Sequence, residues 1–252
     1  MTRTVLITGG SRGIGRATAI LAGRQGWRVG VNYVGNAEAA AETVRQVTAA
    51  GGKALAIPGD VSLEADVVAM FDATEAAFGR LTALVNNAGI VAPRAMLAEM
   101  TGERMRRLFD VNVLGAYLVA REGARRMPTD RGGQGGGLGG AIVNVSSKAS
   151  VLGSPAEWVD YAGSKGAIDS LTIGLAKELA PGGVRVNAVR PGLIATDIHI
   201  AGGQPDRLER LAPSVPMGRA GTAEEVAETI LWLLSDAASY VTGALIDVAG
   251  GR

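Results

Sequence analysis

The sequence predicts an α/β fold, with a doubly wound parallel sheet of about seven strands between two layers of helices. Short apolar segments alternate with longer segments of helical periodicity along most of the chain, which is the pattern of strand–helix units. Several apolar segments are hydrophobic at consecutive positions, as expected for strands buried on both faces. A glycine-rich turn follows the first of them and leads directly into a helical segment. These observations favour an open sheet over an eight-stranded barrel.

The predicted elements cover nearly the whole chain. The strands are predicted at Thr4–Thr8, Arg28–Tyr33, Ala54–Pro58, Ala83–Asn86, Ala141–Ser146, Arg185–Arg190 and Ala244–Val248. The helices are predicted at Ile14–Gln25, Ala37–Ala50, Leu63–Phe78, Gly102–Met127, Tyr161–Leu179 and Ala223–Leu234. Because the alternation resumes after the glycine-rich tract Gly132–Gly140, we interpret this tract as a surface connection and residues 1–252 as a single domain of Rossmann type.

Composition and charge exclude several classes of protein. The chain has 252 residues, of which 47% are hydrophobic and 19% are charged, and this is typical of a globular protein rather than a disordered one. Its 25 basic and 24 acidic residues include no basic run that would predict nucleic-acid binding. No segment approaches the roughly 18 apolar residues that a membrane-spanning helix needs, and we expect a cytoplasmic protein without a membrane partner.

The residue types that are missing limit the chemistry further. The chain has no cysteine, which excludes disulfides, thiolate nucleophiles and cysteine-ligated metals. His199 is the single histidine, so neither a histidine-based triad nor a multi-histidine zinc site can form. No metal site is predicted.

The glycine-rich turn has the features of a phosphate-binding loop. Glycines at positions 9, 13 and 15 follow Thr8 and precede the first helix. They allow a sharp turn and let a pyrophosphate approach the helix N-terminus, where free N–H groups and the helix dipole favour an anion. Because the turn lies between a strand and a helix, a dinucleotide site is favoured over an ordinary turn.

Further motifs follow, in an order that resembles one protein family over essentially the entire chain. They lie at strand ends and in the helices that follow them: Thr8-Gly-x-x-x-Gly-x-Gly15, Asn86-Asn87-Ala88-Gly89, Asn112, Ser146-Ser147, Tyr161-x-x-x-Lys165 and Pro191-Gly192. The chain thus resembles the short-chain dehydrogenase/reductase family. It is similar to the 3-oxoacyl-acyl-carrier-protein reductase-like and glucose dehydrogenase-like members of that family.

The resemblance implies a nicotinamide cofactor and the residues that hold it. They would lie in the glycine loop, at strand ends and on the tyrosine helix: Gly9, Ser11, Arg12, Gly13, Ile14, Gly15, Asn32, Tyr33, Asp60, Val61, Asn87, Ala88, Gly89, Tyr161, Lys165, Pro191, Gly192, Ile194 and Thr196. Asp60 and Val61 would meet the adenine ring, although Asp60 can equally be a capping residue. The backbone of Ile194 and the hydroxyl of Thr196 would hold the nicotinamide carboxamide.

Two observations predict NADP(H) rather than NAD(H). An acid near the end of the second strand hydrogen-bonds the ribose 2′-hydroxyl of NAD(H), and it would repel the 2′-phosphate of NADP(H). That strand ends at Asn32 and Tyr33, and the next acid is Glu38. Arg12 stands in the glycine loop, where the resemblance places basic residues that pair with the phosphate; the alternative is a solvated loop charge.

Four residues are predicted to carry the reaction. Carbonyl reduction needs a hydride, which the cofactor supplies, and a proton for the oxygen. Tyr161 and Lys165 share one face of a predicted helix, so we expect the ammonium to lower the pKa of Tyr161 and make it the acid/base. Ser147 would hydrogen-bond the substrate oxygen. By resemblance, Lys165 would also contact the nicotinamide ribose, and Asn112 would position a water that relays protons.

Ser146 is the competing candidate for the serine of this set. Ser147 precedes Tyr161 by one residue more than the usual family spacing, and the loop Gly153–Asp160 can absorb the difference. We prefer Ser147, because Ser146 ends the apolar alternation of its strand and should face away from the site.

The substrate is expected to be a small carbonyl or alcohol compound, with 3-oxoacyl thioesters, sugars, steroid-like ketones and other ketones all open. Substrate loops are expected at Ile90–Met96, Leu152–Asp160 and Ile194–Pro216, beyond the carboxyl ends of the strands. The resemblance implies a homotetramer or a homodimer. The alternative functions are a non-catalytic NADP(H)-binding redox sensor or regulatory protein, and an epimerase or dehydratase.

Overall fold

The computed structural model describes residues 3–129 and 138–252, except for the side chains of residues 199 and 201. Most of the predicted glycine-rich connection, residues 132–137, lies outside these ranges. The described strands are β1 (Thr4–Ile7), β2 (Arg28–Tyr33), β3 (Lys53–Pro58), β4 (Ala83–Asn86), β5 (Gly140–Val145), β6 (Val184–Pro191) and β7 (Leu245–Val248).

The helices of the described residues alternate with these strands. They are α1 (Gly13–Arg24), α2 (Ala37–Ala49), α3 (Glu64–Phe78), α4 (Gly102–Phe109), α5 (Ala116–Arg126), α6 (Ala149–Leu152), α7 (Val159–Leu179), α8 (Ile198–Ala201), α9 (Arg207–Leu211) and α10 (Ala223–Leu234). None of them combines the length and hydrophobicity needed to cross a membrane.

The strands form one parallel sheet in the order β3-β2-β1-β4-β5-β6-β7. Successive residues of β1 show why its sequence is apolar at every position. Val5 and Ile7 pack in a cluster that includes α1 and α10, whereas Leu6 packs in a second cluster that includes α3, α5 and α7. Because both faces are covered by helices, both faces of each central strand are hydrophobic. The predicted Rossmann-type fold class is confirmed.

One predicted helix differs from the observed structure. The segment predicted as Gly102–Met127 forms α4 and α5, which are joined by the π-helical segment Asp110–Gly115. A π-helical turn holds one residue more than the α-helical period allows, so it shifts the side chains that follow it. Asn112 lies in this segment, and its backbone is therefore placed by an irregularity that hydrophobic periodicity does not reveal.

Candidate active site

The glycine loop connects β1 to α1 at the carboxyl edge of the sheet. Gly9 has a φ of +62°, in the left-handed region that favours glycine. A Cβ atom on Gly15 would lie 2.4 Å from the carbonyl oxygen of Gly9 and 2.7 Å from the side-chain nitrogen of Asn87. Only glycine therefore fits at position 15, and it lets α1 begin directly against the loop.

The loop is held to the end of β4 by hydrogen bonds. The Thr8 hydroxyl oxygen accepts hydrogen bonds from the N–H groups of Asn87 at 2.9 Å and Ala88 at 3.0 Å. The Asn87 side chain donates to the carbonyl oxygen of Thr8 at 2.8 Å. The Asn-Asn-Ala-Gly motif thus braces the loop, in addition to lining the space beside it.

Asn32, at the end of β2, ties the loop to the neighbouring strand. Its side-chain oxygen accepts from the N–H of Gly9 at 3.1 Å, and its side-chain nitrogen donates to the carbonyl oxygen of Gly59 at 2.9 Å. Asn32 is 1% exposed. The sequence predicts a cofactor contact for Asn32, and the structure shows an amide that already has protein partners on both of its polar atoms.

Arg16 is a brace that the sequence interpretation missed. Its guanidinium donates to the carbonyl oxygen of Ser11 at 2.6 and 3.0 Å, and to the Thr43 hydroxyl at 3.0 Å, which joins the loop to α2. A cation in the first turn of a helix opposes the helix dipole. The position of an arginine in the first turn of the predicted helix could therefore have indicated that its side chain has a local partner.

A cavity of about 840 Å³ runs along the carboxyl edge of the sheet. Nearly all of the residues predicted to bind the cofactor or to react lie on its wall: Gly9, Ser11, Arg12, Gly13, Ile14, Asn32, Tyr33, Asp60, Val61, Asn87, Ala88, Gly89, Ser147, Tyr161, Lys165, Pro191, Gly192, Ile194 and Thr196. The remaining two, Gly15 and Asn112, are not among the wall residues. The fold thus brings together residues that are up to 187 positions apart (Gly9 to Thr196).

Tyr161 and Ser147 meet on the wall of this cavity. The Ser147 side chain hydrogen-bonds that of Tyr161 and also accepts from the N–H of Ala149 at 3.1 Å. The Ser146 hydroxyl instead donates to the carbonyl oxygen of Lys165 at 3.1 Å and is buried. Of the two candidate serines, Ser147 is therefore the one whose hydroxyl meets the tyrosine.

Lys165 and Tyr161 have shifted pKa values, and burial is the main cause for both. Burial raises the pKa of Tyr161 to about 12 and outweighs the hydrogen bond from Ser147, which lowers it. Burial lowers the pKa of Lys165 to about 8, against the opposing charge of Asp169. The expected net lowering of the tyrosine pKa is wrong for the protein alone, because burial is the largest influence on this pKa and disfavours the phenolate.

The ammonium of Lys165 is fixed beside the tyrosine. It donates to the carbonyl oxygen of Val145 at 2.8 Å and lies 5.6 Å from the centroid of the Tyr161 ring. A Cβ atom on Gly89 would lie 3.5 Å from this nitrogen, so the end of β4 closes over it. The site therefore pairs a neutral hydroxyl with a nearby buried ammonium group.

Asn112 lies beside this group, with its side chain already in use. Its oxygen accepts from the N–H of Ile90 at 2.8 Å, and its nitrogen donates to the carbonyl oxygen of Ile90 at 2.9 Å and to Ser164 at 3.2 Å. Asn112 thus fastens the π-helical segment to the chain after β4 and to α7. Its predicted contact with a relay water remains a prediction.

Two groups of opposite charge, Asp60 and Arg12, lie on the cavity wall where the sequence predicts the adenosine part of the cofactor. Burial raises the pKa of Asp60, but hydrogen bonds from Ser62 and Arg107 outweigh it and leave the pKa below its usual value. The alternative that Asp60 caps the following helix is wrong, because Leu63 occupies the N-cap position of α3. Arg12 is exposed, and within residues 3–129 and 138–252 its side chain has no ion-pair partner.

The predicted substrate loops meet around Tyr161. Arg104 pairs with Asp160 through Nε at 2.9 Å and also donates to the carbonyl oxygen of Pro93. The Trp158 indole donates to the carbonyl oxygen of Ala92 at 2.7 Å. Asp160 accepts from the N–H of Tyr161 at 2.9 Å. These bonds hold the start of α7, and with it the tyrosine, against the loop after β4.

The comparisons with known proteins agree with this geometry. A family model described as enoyl-(acyl carrier protein) reductase matches residues 9–252. An uncharacterized oxidoreductase of Escherichia coli K12, YgfF, is 55% identical over 98% of each chain. Glucose 1-dehydrogenase 2 of Bacillus subtilis is 37% identical over 99% of this chain and 94% of that protein.

A solved structure gives the same result for the fold. The crystal structure of 3-ketoacyl-(acyl-carrier-protein) reductase from Brucella melitensis complexed with NADH superposes with a TM-score of 0.89, at 32% identity, over 99% of this chain and 98% of that one. The chain belongs to the short-chain dehydrogenase/reductase family. It is therefore an oxidoreductase whose relatives indicate a nicotinamide cofactor.

Proposed function

We propose that this chain is an NADP(H)-dependent oxidoreductase that interconverts a carbonyl and a secondary alcohol, with Tyr161 as the acid/base. The observation that carries the proposal is the contact between the Tyr161 and Ser147 side chains on the cavity wall, beside the buried ammonium of Lys165. We further propose that residues 1–252 act as a single domain in the cytoplasm.

The glycine loop fits a dinucleotide. The missing side chain at Gly15 keeps the loop and the start of α1 in contact, and Gly13 begins α1 on the cavity wall. The N–H groups of this first turn would bind the pyrophosphate, and the segment from Pro191 to Thr196 would hold the nicotinamide carboxamide. When bound, the cofactor supplies a hydride to the carbonyl carbon.

The residues of the chain handle the oxygen of the substrate. With a pKa raised to about 12, Tyr161 is protonated at neutral pH, so it can donate its proton to the carbonyl oxygen. Ser147 donates a hydrogen bond to the same oxygen as negative charge develops there. Lys165 places a nearby ammonium that stabilises the phenolate left by the transfer. Asn112 positions the chain around the lysine.

The preference for NADP(H) is supported by charge. Arg12 lines the cavity and has no ion-pair partner within the described ranges, so its guanidinium is free to meet a 2′-phosphate. The wall next to it, formed by Tyr33, Val34, Asn36 and Ala39, carries no acid that would bind a ribose hydroxyl. The relative from Brucella melitensis was solved with NADH, so the test must compare both cofactors.

A homotetramer is part of the proposal. Half-exposed apolar side chains on the outer faces of α4, α5 and α7 support it, namely Phe109, Tyr117 and Ile173. Size-exclusion chromatography with light scattering would measure the mass, and a monomer would contradict it.

The proposed reaction is tested by measuring NADPH and NADH oxidation with ketones, aldehydes and 3-oxoacyl thioesters. Tyr161→Phe should lower kcat by about 100-fold or more and change NADPH affinity far less, because it removes the acid and keeps the aromatic ring on the cavity wall. Tyr240→Phe is the control, since Tyr240 is fully exposed. Tight NADPH binding without any turnover would favour a redox sensor instead, and faster turnover with NADH would overturn the cofactor assignment.

A further inference from the structure

An ion pair lies on the wall of the cavity, in the loops expected to hold the substrate. Arg207, at the start of α9, pairs with Glu157, which precedes α7, and both line the cavity. The guanidinium carbon of Arg207 lies 4.3 Å from the centroid of the Trp158 ring. The side chains of Arg207 and Glu157 are only 9% and 19% exposed. Neither charge is therefore a freely solvated surface group.

The pair belongs to a cluster whose charges cancel. Arg210 lies 3.6 Å from Glu157 and 3.9 Å from Asp206. The Gln204 side-chain oxygen accepts from Arg207 at 3.3 Å and from Arg210 at 2.6 Å. Two guanidinium groups thus face two carboxylates, and Nη1 of Arg207 bonds both Glu157 and Gln204, so the charge of Arg207 already has a partner within the protein.

Apolar side chains form a large part of the same cavity wall. All three substrate loops contribute them, including Val91, Leu152, Pro155, Ile198 and Leu211. A carboxylate entering here would lose water and would lie beside the Glu157 carboxylate, and both effects disfavour it. An uncharged substrate meets neither cost.

We propose that Glu157 is a specificity-determining residue which, by neutralising Arg207, restricts the site to uncharged carbonyl compounds with a largely apolar body. The proposal rests on the carbonyl reductase function proposed above and names its substrate class. Removing the Glu157 charge leaves Arg207 as a buried cation without its partner, and an anionic substrate would then supply the missing charge.

Arg252 is a second cation that matters for this selectivity, since Arg12 is assigned to the cofactor and Lys148 already pairs with Asp247. It lines the same cavity, and in the described part of the chain no acidic side chain pairs with it. An anionic substrate could bind Arg252 even with Arg207 neutralised. The experiment therefore includes Arg252→Gln.

The test compares ethyl benzoylformate with benzoylformate, two 2-oxo compounds that differ in charge. With NADPH, the wild-type protein should reduce the ester with at least about tenfold higher kcat/KM than the acid. Glu157→Gln should raise kcat/KM for the acid about tenfold and change that for the ester less than about threefold. The added Arg207→Gln change should remove this gain, and Glu209→Gln, at an exposed position of α9, should have no effect.

Several outcomes would overturn the proposal. They are equal use of both compounds by the wild-type protein, no gain for the acid in Glu157→Gln, and use of the acid that is lost in Arg252→Gln. Equal use of the two compounds overturns the proposal without any variant. A preference for the ester partly reflects its more electrophilic carbonyl, so Glu157→Asn replaces Glu157→Gln if the latter fails to fold.

Calorimetry distinguishes failure of the proposed reaction from failure of the proposed selectivity. Both compounds are titrated into the NADP⁺-saturated wild-type protein and Glu157→Gln. If neither is reduced by the wild-type protein or by any variant, the carbonyl reductase proposal loses its support. Tighter binding of benzoylformate to Glu157→Gln, by about fivefold or more, would still support the selectivity, and equal binding would overturn it.

Discussion

Lys165 holds its ammonium group 5.6 Å from the centroid of the Tyr161 ring, one turn along the same helix. Burial moves the two pKa values apart, to about 8 for the lysine and about 12 for the tyrosine, and so favours the neutral form of each. Around neutral pH the tyrosine keeps its proton, and the lysine carries its charge at a cost in solvation. Tyr161 thus has a proton to donate. The free-energy cost of burying the charged lysine can be measured as a change in protein stability.

Lys165→Met should stabilise the fold at pH 7. The folded pKa of Lys165, about 8, is below the ordinary 10.5, so the charged lysine is penalised fully below pH 8, and the penalty disappears as the pH rises toward 10.5. The methionine removes this penalty but leaves the Val145 carbonyl without its donor, for a net gain of about 2 kcal/mol at pH 7. Chemical denaturation between pH 7 and 9.5 measures it. The gain should shrink with rising pH, and a constant difference would contradict the explanation.

Ser147→Ala should lower activity and leave stability nearly unchanged, whereas Ser146→Ala should lower stability and leave activity nearly unchanged. Loss of the Ser147 hydroxyl should lower kcat by about 100-fold, because it removes a donor to the substrate oxygen, with little change in thermal stability. Ser146→Ala should keep kcat within a few-fold and cost about 1 kcal/mol, because its bond to the Lys165 carbonyl is lost. Steady-state kinetics and thermal unfolding of both variants test the assignment, and it fails if Ser146→Ala loses more activity.

Arg12→Gln should weaken NADPH binding about tenfold and leave NADH binding unchanged, because only NADPH carries the 2′-phosphate. Fluorescence titration of both cofactors measures the difference. Arg24→Gln provides the matched control, since Arg24 is an exposed cation in the last turn of the same helix. Equal weakening of both cofactors by Arg12→Gln would indicate a contact with the pyrophosphate or adenine.

Gly15→Ala should destabilise the fold by about 1–3 kcal/mol and abolish tight cofactor binding, because the new methyl group would lie 2.4 Å from the Gly9 carbonyl oxygen. Gly174→Ala, in α7, is the control. A Cβ atom there meets nothing within 4 Å, and alanine favours the helix, so this variant should be as stable as the wild type or slightly more so. Normal cofactor affinity in Gly15→Ala would show that the loop can shift away.

The fold class, the strands and the pairing of Tyr161 with Lys165 could be predicted from local patterns. Consecutive apolar residues in strands such as β1 report burial on both faces, and glycine spacing reports a backbone constraint within a few residues. The four-residue spacing of Tyr161 and Lys165 places them on one helix face through the helical period alone. Each of these features depends on residues close together in the chain, so it can be predicted from the sequence without the tertiary structure.

The remaining features depend on residues that are distant in sequence. The bond from Asn32 to Gly9, the bonds from Asn112 to Ile90 and the pairing of Glu157 with Arg207 join separate loops, and no local pattern specifies them. The raised pKa of Tyr161 likewise arises from the solvation that the folded cavity removes, which outweighs the hydrogen bond from Ser147. Local spacing reveals which side chains are available, whereas burial and long-range contacts set their partners and their protonation.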